Sequence, residues 1–108
     1  MTDARFVYIT AASEDEAAAI ADHLIDQRLA ACVGILPGLQ TRYRWEGKVC
    51  HGQEVALFAK TTEKLVTALT EAVKKLHSYD CPCIVSLPIE GGFSPYLKWI
   101  EDQCLTER

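Results

Sequence analysis

The segment "LQTRYRWEGKVCHGQEVALFAKT", residues 39–61, decides the fold of this chain. Residues 39–45 alternate between two faces, as the two-residue period of a β-strand requires. The turn-forming pair Glu46-Gly47 follows, and the chain returns as a second strand over residues 48–61. The segment is therefore predicted to be one long β-hairpin. One face of its first strand carries Leu39, Thr41, Tyr43 and Trp45.

The length of this hairpin has a consequence for assembly. A strand of about 15 residues spans about 50 Å at roughly 3.3 Å per residue, whereas a domain of this size has a radius of gyration of about 13 Å. The hairpin must therefore project beyond its own core. A projecting edge that carries Tyr43, Trp45 and Val55 invites aggregation unless another strand pairs with it. We expect a symmetric oligomer in which each hairpin joins a neighbour's sheet; the alternative is a kinked, shorter hairpin in a monomer.

Three helices are predicted from apolar periodicity and start signals. Ser13, with Glu16 three residues later, forms a capping box that begins a helix over about residues 14–30. A second helix is predicted over about residues 62–77, with Thr61 or Thr62 as its cap. Ser94-Pro95 opens a third, because proline suits the first helical position. The predicted buried stripes are Ala17, Ile20, Ala21 and Leu24 in the first helix, and Leu65, Leu69, Val73 and Leu76 in the second.

The remaining apolar runs are short and predict further strands. They lie at residues 5–10, 31–38 and 83–88, and Pro37-Gly38 predicts a bulge between residues 31–38 and the hairpin. The resulting order is β-α-β-β-α-β with an additional C-terminal helix. This order predicts a ferredoxin-like α+β fold, with the helices on one face of the sheet and a single domain over residues 1–108.

Composition excludes several classes of function. The net charge of −4, with scattered basic residues, argues against nucleic acid as a partner. The sequence has no apolar run typical of a signal peptide or a membrane span, so we expect a cytoplasmic protein without a membrane partner. The five cysteines form no C-x-x-C motif and are expected to be free thiols, with Cys32 and Cys104 buried.

The stretch "HSYDCPCIV", residues 77–85, is the first candidate site. Imidazole and thiolate are ligands that copper(I) and zinc prefer, so His77, Cys81 and Cys83 form a candidate metal site. Within a strand the two cysteines would face opposite ways, whereas a turn before the strand would bring Cys81 back toward His77. The alternative is that His77 ends the helix, where a cation suits the helix dipole, and that Cys83 packs as a small residue.

Cys50-His51 is a second pair with metal-binding side chains. Adjacent strand residues face opposite ways, so this pair is expected to be a solvated hairpin edge.

A candidate ligand cleft is assigned to the end of the hairpin's second strand. A lysine at a strand end beside a helix N-terminus attracts anions. The alternative is ordinary helix capping beside a solvated lysine. The assigned residues are Lys60, Thr61, Glu54 and Tyr79.

Large aromatic residues with polar handles suit subunit interfaces. Tyr43, Trp45, Tyr96 and Trp99, together with Val55, are the predicted oligomer contacts, and the alternative for the aromatics is a stacking site for a planar ligand. No catalytic residue is predicted, because His77 and Cys81 lack a third, orienting group.

Several motifs in register resemble the CutA family of divalent-cation tolerance proteins: "LAACVGILPG", "YRWEGK", "EVALFAKTT", "HSYDCPCIVSLPI" and "YLKWI". The resemblance covers nearly the whole chain. It implies a ferredoxin-like subunit in a tight homotrimer, with the long hairpins pairing between subunits. It also implies copper binding and tolerance, and a fold similar to the PII-type signalling proteins.

The chain departs from the family pattern at two positions of one motif. The family's H-P-Y-x-x-P-E-I is here HSYDCPCI, with Ser78 in place of proline and Cys83 in place of glutamate. A thiol thus replaces a carboxylate, which changes a hard oxygen ligand into a soft sulfur ligand. Some members also carry a second histidine where this chain has Leu76.

Together these observations predict a homotrimeric, non-enzymatic protein that binds copper or another divalent metal. The first alternative is a PII-like sensor whose intersubunit clefts bind a small anionic metabolite through Lys60 and His77. The second is a structural trimer that anchors other proteins.

Overall fold

The structure, a computed structural model, describes residues 2–106. Four strands form one antiparallel sheet in the order β2-β3-β1-β4, which confirms the ferredoxin-like arrangement. No helix within this described part of the chain is long and apolar enough to cross a membrane. The elements are β1 Ala4–Ala11, α1 Glu14–Asp26, β2 Cys32–Trp45, β3 Lys48–Thr62, a 3-10 turn Glu63–Leu65, α2 Val66–Leu76, β4 Ile84–Pro88 and α3 Ser94–Gln103.

The core lies between one face of the sheet and the helices. Val7 and Ile9 of β1 pair with Ala59 and Leu57 of β3, and all four side chains are fully buried. The alternate residues of the same strands point to the opposite face, because side chains alternate along a strand. On that face the Phe58 ring lies 5.6 Å from Phe6 and 5.9 Å from Tyr8, between ring centres. This face without helices, called the open face below, carries the candidate site.

The hairpin is as long as the sequence predicts. Strands β2 and β3 contain 14 and 15 residues, and the molecule measures 44 Å along its longest axis against 25 and 22 Å across. The register shifts between Leu36 and Leu39, which confirms the bulge at Pro37-Gly38. At the tip, Glu46 and Gly47 have φ angles of 50° and 79°, which are the left-handed values of a type I′ turn.

Helix α1 confirms the predicted cap and buried stripe but ends at Asp26, four residues earlier than predicted. The chain reverses at Arg28, whose φ of 57° is incompatible with a continuing helix. The amide of Glu16 donates to Ser13 Oγ at 3.1 Å. The Glu16 carboxylate accepts the amide of Ala12 at 3.0 Å. A capping box would use the amide of the next residue, Ser13.

Two predictions for α2 are corrected. Neither Thr61 nor Thr62 caps it: Thr61 is fully buried and donates to the Leu29 carbonyl at 2.6 Å, and a 3-10 turn leads from Thr62 into the helix. Leu76 is 43% exposed, so the buried stripe ends one turn before the helix does. The next strand begins at Ile84 instead of Cys83, which leaves both candidate cysteines outside the strand.

Candidate functional site

A cleft of about 510 Å³ lies between the hairpin and the segment 79–83, on the open face. The central sheet contributes Tyr8, Thr10 and Glu54 to its lining. The hairpin and the 79–83 segment form the two walls. The wall residues are Thr41, Arg42, Tyr43, Trp45, Tyr79, Asp80, Cys81 and Cys83.

Strand alternation explains why the hairpin residues converge on this cleft. Thr41 pairs with Gly52 and Tyr43 pairs with Cys50, so the two cleft side chains share one face of β2. A Cβ at position 52 would lie 3.2 Å from Thr41 Oγ1 and 3.9 Å from the Tyr43 ring. Glycine at position 52 therefore leaves room for the Thr41 and Tyr43 side chains to fold over β3.

Glu54 is the central charged group of the cleft. Its Oε1 accepts the Tyr79 hydroxyl at 3.2 Å. Burial first, and the Glu54 charge second, raise the pKa of Tyr79 to about 12. Burial is also the largest cause of the raised pKa of Tyr8 and of Cys83, and Glu54 contributes to both. These groups therefore stay protonated and uncharged at neutral pH.

Glu54 itself has no cationic partner within residues 2–106, because no Lys, Arg or His nitrogen lies within 4.0 Å of its carboxylate. Arg42, the one basic residue in the lining, donates through Nη1 to the neighbouring Thr41 carbonyl at 3.1 Å. Asp80 adds a second carboxylate to the lining. The cleft therefore contains two acidic side chains and one basic side chain.

His77 lies behind the cleft wall, with a fully buried side chain. Its Nδ1 accepts the Tyr79 amide at 3.1 Å, so the ring proton sits on Nε2, which donates to the Thr10 carbonyl at 2.6 Å. Both nitrogens are thus used within the protein, and His77 holds Tyr79 in place. His77 is the C-cap residue of α2, as the alternative interpretation expected, but its ring is buried instead of exposed at the helix end.

Glu16 secures the same segment from α1. Its Oε1 accepts the Ser78 amide at 2.6 Å, and its Oε2 accepts the Ser78 hydroxyl at 3.0 Å. Burial opposes ionisation of this carboxylate, but the hydrogen bonds from Ser78 and Ala12 outweigh it and lower the Glu16 pKa. Helix α1 thereby fixes the segment that carries Tyr79, Cys81 and Cys83.

Cys81 and Cys83 line the same cleft, because the segment before β4 is not a strand and its side chains need not alternate. His77 does not join them. Across residues 2–106, no three His, Cys, Asp or Glu side chains are grouped closely enough to hold a metal ion. The structure therefore brings together two of the three candidate metal ligands in one subunit.

The side chains of the other candidate pair, Cys50-His51, lie on opposite faces of the hairpin. Cys50 pairs with Tyr43, and His51 pairs with Arg42, so the two side chains face opposite ways. The Cys50 thiol donates to the Lys48 carbonyl at 3.9 Å.

The predicted ligand cleft is divided between two places. Glu54 and Tyr79 meet in the cleft, but Lys60 lies six residues along β3 from Glu54, or about 20 Å at the strand rise. The pKa of Tyr96 is raised, chiefly by its hydrogen bond with Cys32. Lys60 lies close enough to the Tyr96 hydroxyl to oppose part of this increase. Thr61 points into the core, where its hydroxyl is already bonded to Leu29.

The predicted oligomer contacts lie in three different parts of the subunit. Tyr43 and Trp45 are 49% and 50% exposed in the cleft, and Tyr96 and Trp99 stack with ring centres 5.6 Å apart at 41% and 40% exposure. Val55 is 5% exposed, because it faces the helices and pairs with Ala11, so it offers little surface to a partner.

Sequence reasoning missed five lining residues. Tyr8 and Thr10 alternate with the buried Val7 and Ile9, so strand period places them on the face opposite the core. Which residues of that face border the cleft, however, depends on where the 79–83 segment lies, and this irregular segment has no periodic pattern in the sequence. The other missed residues are Thr41, Arg42 and Asp80.

Comparison with known proteins agrees with this fold. Residues 5–103 match the family profile described as CutA1 divalent ion tolerance protein. A divalent-cation tolerance protein CutA of Thermus thermophilus is 49% identical over 96 residues, which cover 89% of this chain and 93% of that protein. A rice protein named CutA 1, chloroplastic, is 45% identical over 89% of this chain, which spans only 54% of the rice protein.

A solved structure agrees as well. The structure described as the periplasmic divalent cation tolerance protein CutA of Archaeoglobus fulgidus superimposes with a TM-score of 0.89 at 41% identity, covering 93% of this chain and 97% of that chain. The family profile, the sequence relatives and the solved structure all identify CutA proteins. The chain therefore belongs to the CutA1 divalent ion tolerance protein family.

Proposed function

We propose that this protein binds divalent metal ions or copper as a homotrimer, as part of metal-ion tolerance, and catalyses no reaction. The observation that supports the proposal is the cleft lining, which includes two thiols and two carboxylates, although no three of these side chains within residues 2–106 lie close enough to hold a metal ion in one subunit. The thiols and carboxylates belong to Cys81, Cys83, Glu54 and Asp80. The family description, which names ion tolerance and no reaction, is consistent with a binding role.

The donor set favours a soft or borderline metal. Thiolates select copper(I) and zinc, and deprotonation on binding releases protons, because the ligand is the thiolate. Metal affinity should therefore increase with pH, and the raised pKa of Cys83, caused mainly by burial, extends this increase to higher pH. Since His77 uses both ring nitrogens internally, Cys81 and Cys83 would hold the metal, with water or a neighbouring subunit completing its coordination.

The trimer is supported by what the open face exposes. Leu36, Val85 and Leu87 lie there at 58%, 49% and 54% exposure, beside the partly buried Phe6 and Phe58. Exposed apolar patches of this kind mark interfaces between proteins. The projecting hairpin adds unpaired strand edges, which a closed ring of subunits would pair.

The alternative of a PII-like sensor for an anionic metabolite has less support. Lys60 and His77 do not come together, and the cleft contains more acidic than basic side chains. A cytoplasmic location is supported by the five free cysteines, which are typical of reducing compartments. Fractionation of cells that express the chain would test this location, because two similar proteins are described as chloroplastic and periplasmic.

The experiment is a titration of the fully reduced protein with copper(I), and separately with zinc. Cys81→Ser and Cys83→Ser should each weaken binding by at least about tenfold, because a hydroxyl replaces a soft sulfur ligand. Cys50→Ser is the matched control on the hairpin and should bind like the original protein. Equal binding by all four proteins would refute the proposed metal site.

A further inference from the structure

The side of the projecting hairpin that faces away from the cleft carries a group of basic side chains. Side chains alternate along a strand, so Arg42 and Arg44 lie on the side of β2 opposite Tyr43 and Trp45. His51 pairs with Arg42 across the hairpin and shares its side. This surface, called the basic face below, comprises Gln40, Arg42, Arg44, Val49, His51 and Gln53.

The basic face differs from the surfaces that assembly is expected to cover, which are the apolar open face and the strand edges. It continues the side of the sheet on which the helices pack. Val55 of β3 is 5% exposed under the helices, whereas Gln53 and His51, which follow it on the same side toward the hairpin tip, are exposed. The basic face therefore begins where the helices end.

The charges of the basic face have no acidic partner in the part of the chain that the structure describes. No carboxylate there lies within 4.0 Å of the guanidinium nitrogens of Arg42 or Arg44. Two residues apart on one strand, these side chains start roughly 7 Å from each other. Like charges at this separation repel each other, and an anion bound between them would remove the repulsion.

A groove of about 420 Å³ lies beside these charges, and its lining contains no acidic residue. Gln40 and Gln53 are paired across the hairpin, next to the pair formed by Arg42 and His51. Amide, guanidinium and imidazole groups can all donate hydrogen bonds to an oxyanion. Arg42 donates through Nη1 to the Thr41 carbonyl at 3.1 Å, and its guanidinium has further N–H groups to donate.

We propose that the basic face binds a phosphate group, either inorganic or carried by a small organic molecule, between Arg42 and Arg44, with His51 as a further donor. Arginine suits this ligand because its planar fork matches two phosphate oxygens and is weakly hydrated. The site is separate from the cleft and does not depend on metal binding. It also differs from the anion site of the sensor alternative, which uses Lys60 and His77.

Titration calorimetry of the assembled protein with inorganic pyrophosphate, in a phosphate-free buffer of low salt, tests the inference. We expect saturable binding that Arg42→Gln and Arg44→Gln each weaken by at least about fivefold, because each loses a charge-assisted contact. Lys48→Gln is the matched control. It removes the same charge from the same hairpin, but Lys48 pairs with Trp45 on the cleft side, so the affinity should be unchanged.

Two further measurements sharpen the assignment. Arg44→Lys keeps the charge and loses the planar fork, so its affinity should lie between those of the original protein and Arg44→Gln. Inorganic phosphate is then compared with glycerol phosphate. Tighter binding of the ester would assign the site to a phosphorylated organic molecule, and tighter binding of inorganic phosphate would assign it to the free ion.

Three results would overturn the inference. The first is no saturable binding of pyrophosphate, and the second is an equal loss of affinity in Arg44→Gln and Lys48→Gln, which would mean that only the overall charge matters. The third is a smaller assembled mass of Arg44→Gln by light scattering, which would show that the basic face contacts a neighbouring subunit and not a small anion.

Discussion

At the scale of single residues, the site depends on side chains that do not line it. Glu16 accepts the backbone amide of Ser78 at 2.6 Å, and the His77 ring accepts that of Tyr79 at 3.1 Å, so both side chains hold this segment. This arrangement directs the Tyr79 hydroxyl to the Glu54 carboxylate. It also places Cys81 and Cys83 across the cleft from the hairpin. His77, which the sequence predicts as a metal ligand, therefore supports the neighbouring segment in the structure.

Glu16→Gln should destabilise the protein by about 1–2 kcal/mol at pH 7, because a nearly buried carboxylate loses charge-assisted hydrogen bonds. The folded-state pKa of Glu16 is lowered, so the unfolded chain binds the proton more tightly. The stabilisation is therefore complete above the ordinary glutamate pKa of about 4.3 and is lost as the pH falls through the lower folded-state pKa.

Urea denaturation of the two proteins across pH 3 to 7 measures this difference, which should shrink toward the acid end of the range. Glu14→Gln is the control, since this exposed residue of the same helical turn contributes only a few tenths of a kcal/mol through the helix dipole. A pH-independent difference would show that the Glu16 charge is not responsible.

Sequence reasoning at this scale identified residue types better than their roles. The acceptors of the His77 ring nitrogen and of the Thr61 hydroxyl are backbone carbonyls of Thr10 and Leu29, which lie 67 and 32 residues away in the chain. Any residue supplies such a carbonyl, so no pattern predicts these bonds. Cys83, by contrast, is a candidate because of its thiol chemistry, which the sequence shows directly, and it lines the cleft; its role as a metal ligand stays a prediction.

At the scale of elements, periodicity predicted what is buried more reliably than where each element ends. The stripe of α1 and three of the four predicted residues of α2 are in the core. The ends of α1 and α2 were misplaced because a left-handed Arg28 and a 3-10 turn at Glu63–Leu65 interrupt the periodic pattern without a glycine or proline signal.

Two leucines of α2 test the corrected limit of the core. Leu69→Ala should cost about 2–5 kcal/mol of unfolding free energy, because Leu69 is fully buried and its loss leaves a cavity. Leu76→Ala removes the same atoms from a side chain that is 43% exposed and should cost less than about 1 kcal/mol. Chemical denaturation compares them, and similar losses from both would mean that the stripe continues to the helix end.

At the scale of the whole molecule, the projecting hairpin and the exposed apolar side chains of the open face favour assembly with further subunits. The 44 Å long axis of the subunit agrees with the projecting hairpin that the strand lengths predict. The geometry of subunit contacts is a separate question, because it depends on surfaces from more than one chain. The trimer therefore stays a proposal, supported by exposed apolar side chains on the open face.

Leu87→Lys tests assembly on the open face. Light scattering of the original protein should give a mass of three 12.0 kDa subunits. The lysine should shift this mass toward the monomer, because a charge would be buried in the interface. Leu76→Lys, the same substitution at an exposed site on α2, should leave the trimer intact. A monomeric original protein at micromolar concentration would refute the trimer.

The central claim is that the cleft thiols, and not the neighbouring histidine, hold the metal. X-ray absorption spectroscopy of the reduced, copper(I)-loaded protein measures this most directly, because it distinguishes sulfur from nitrogen and oxygen ligands. The account predicts a sulfur shell near the metal that is reduced in Cys83→Ser and unchanged in Cys50→Ser. A first shell of nitrogen and oxygen alone, identical in all three proteins, would contradict it.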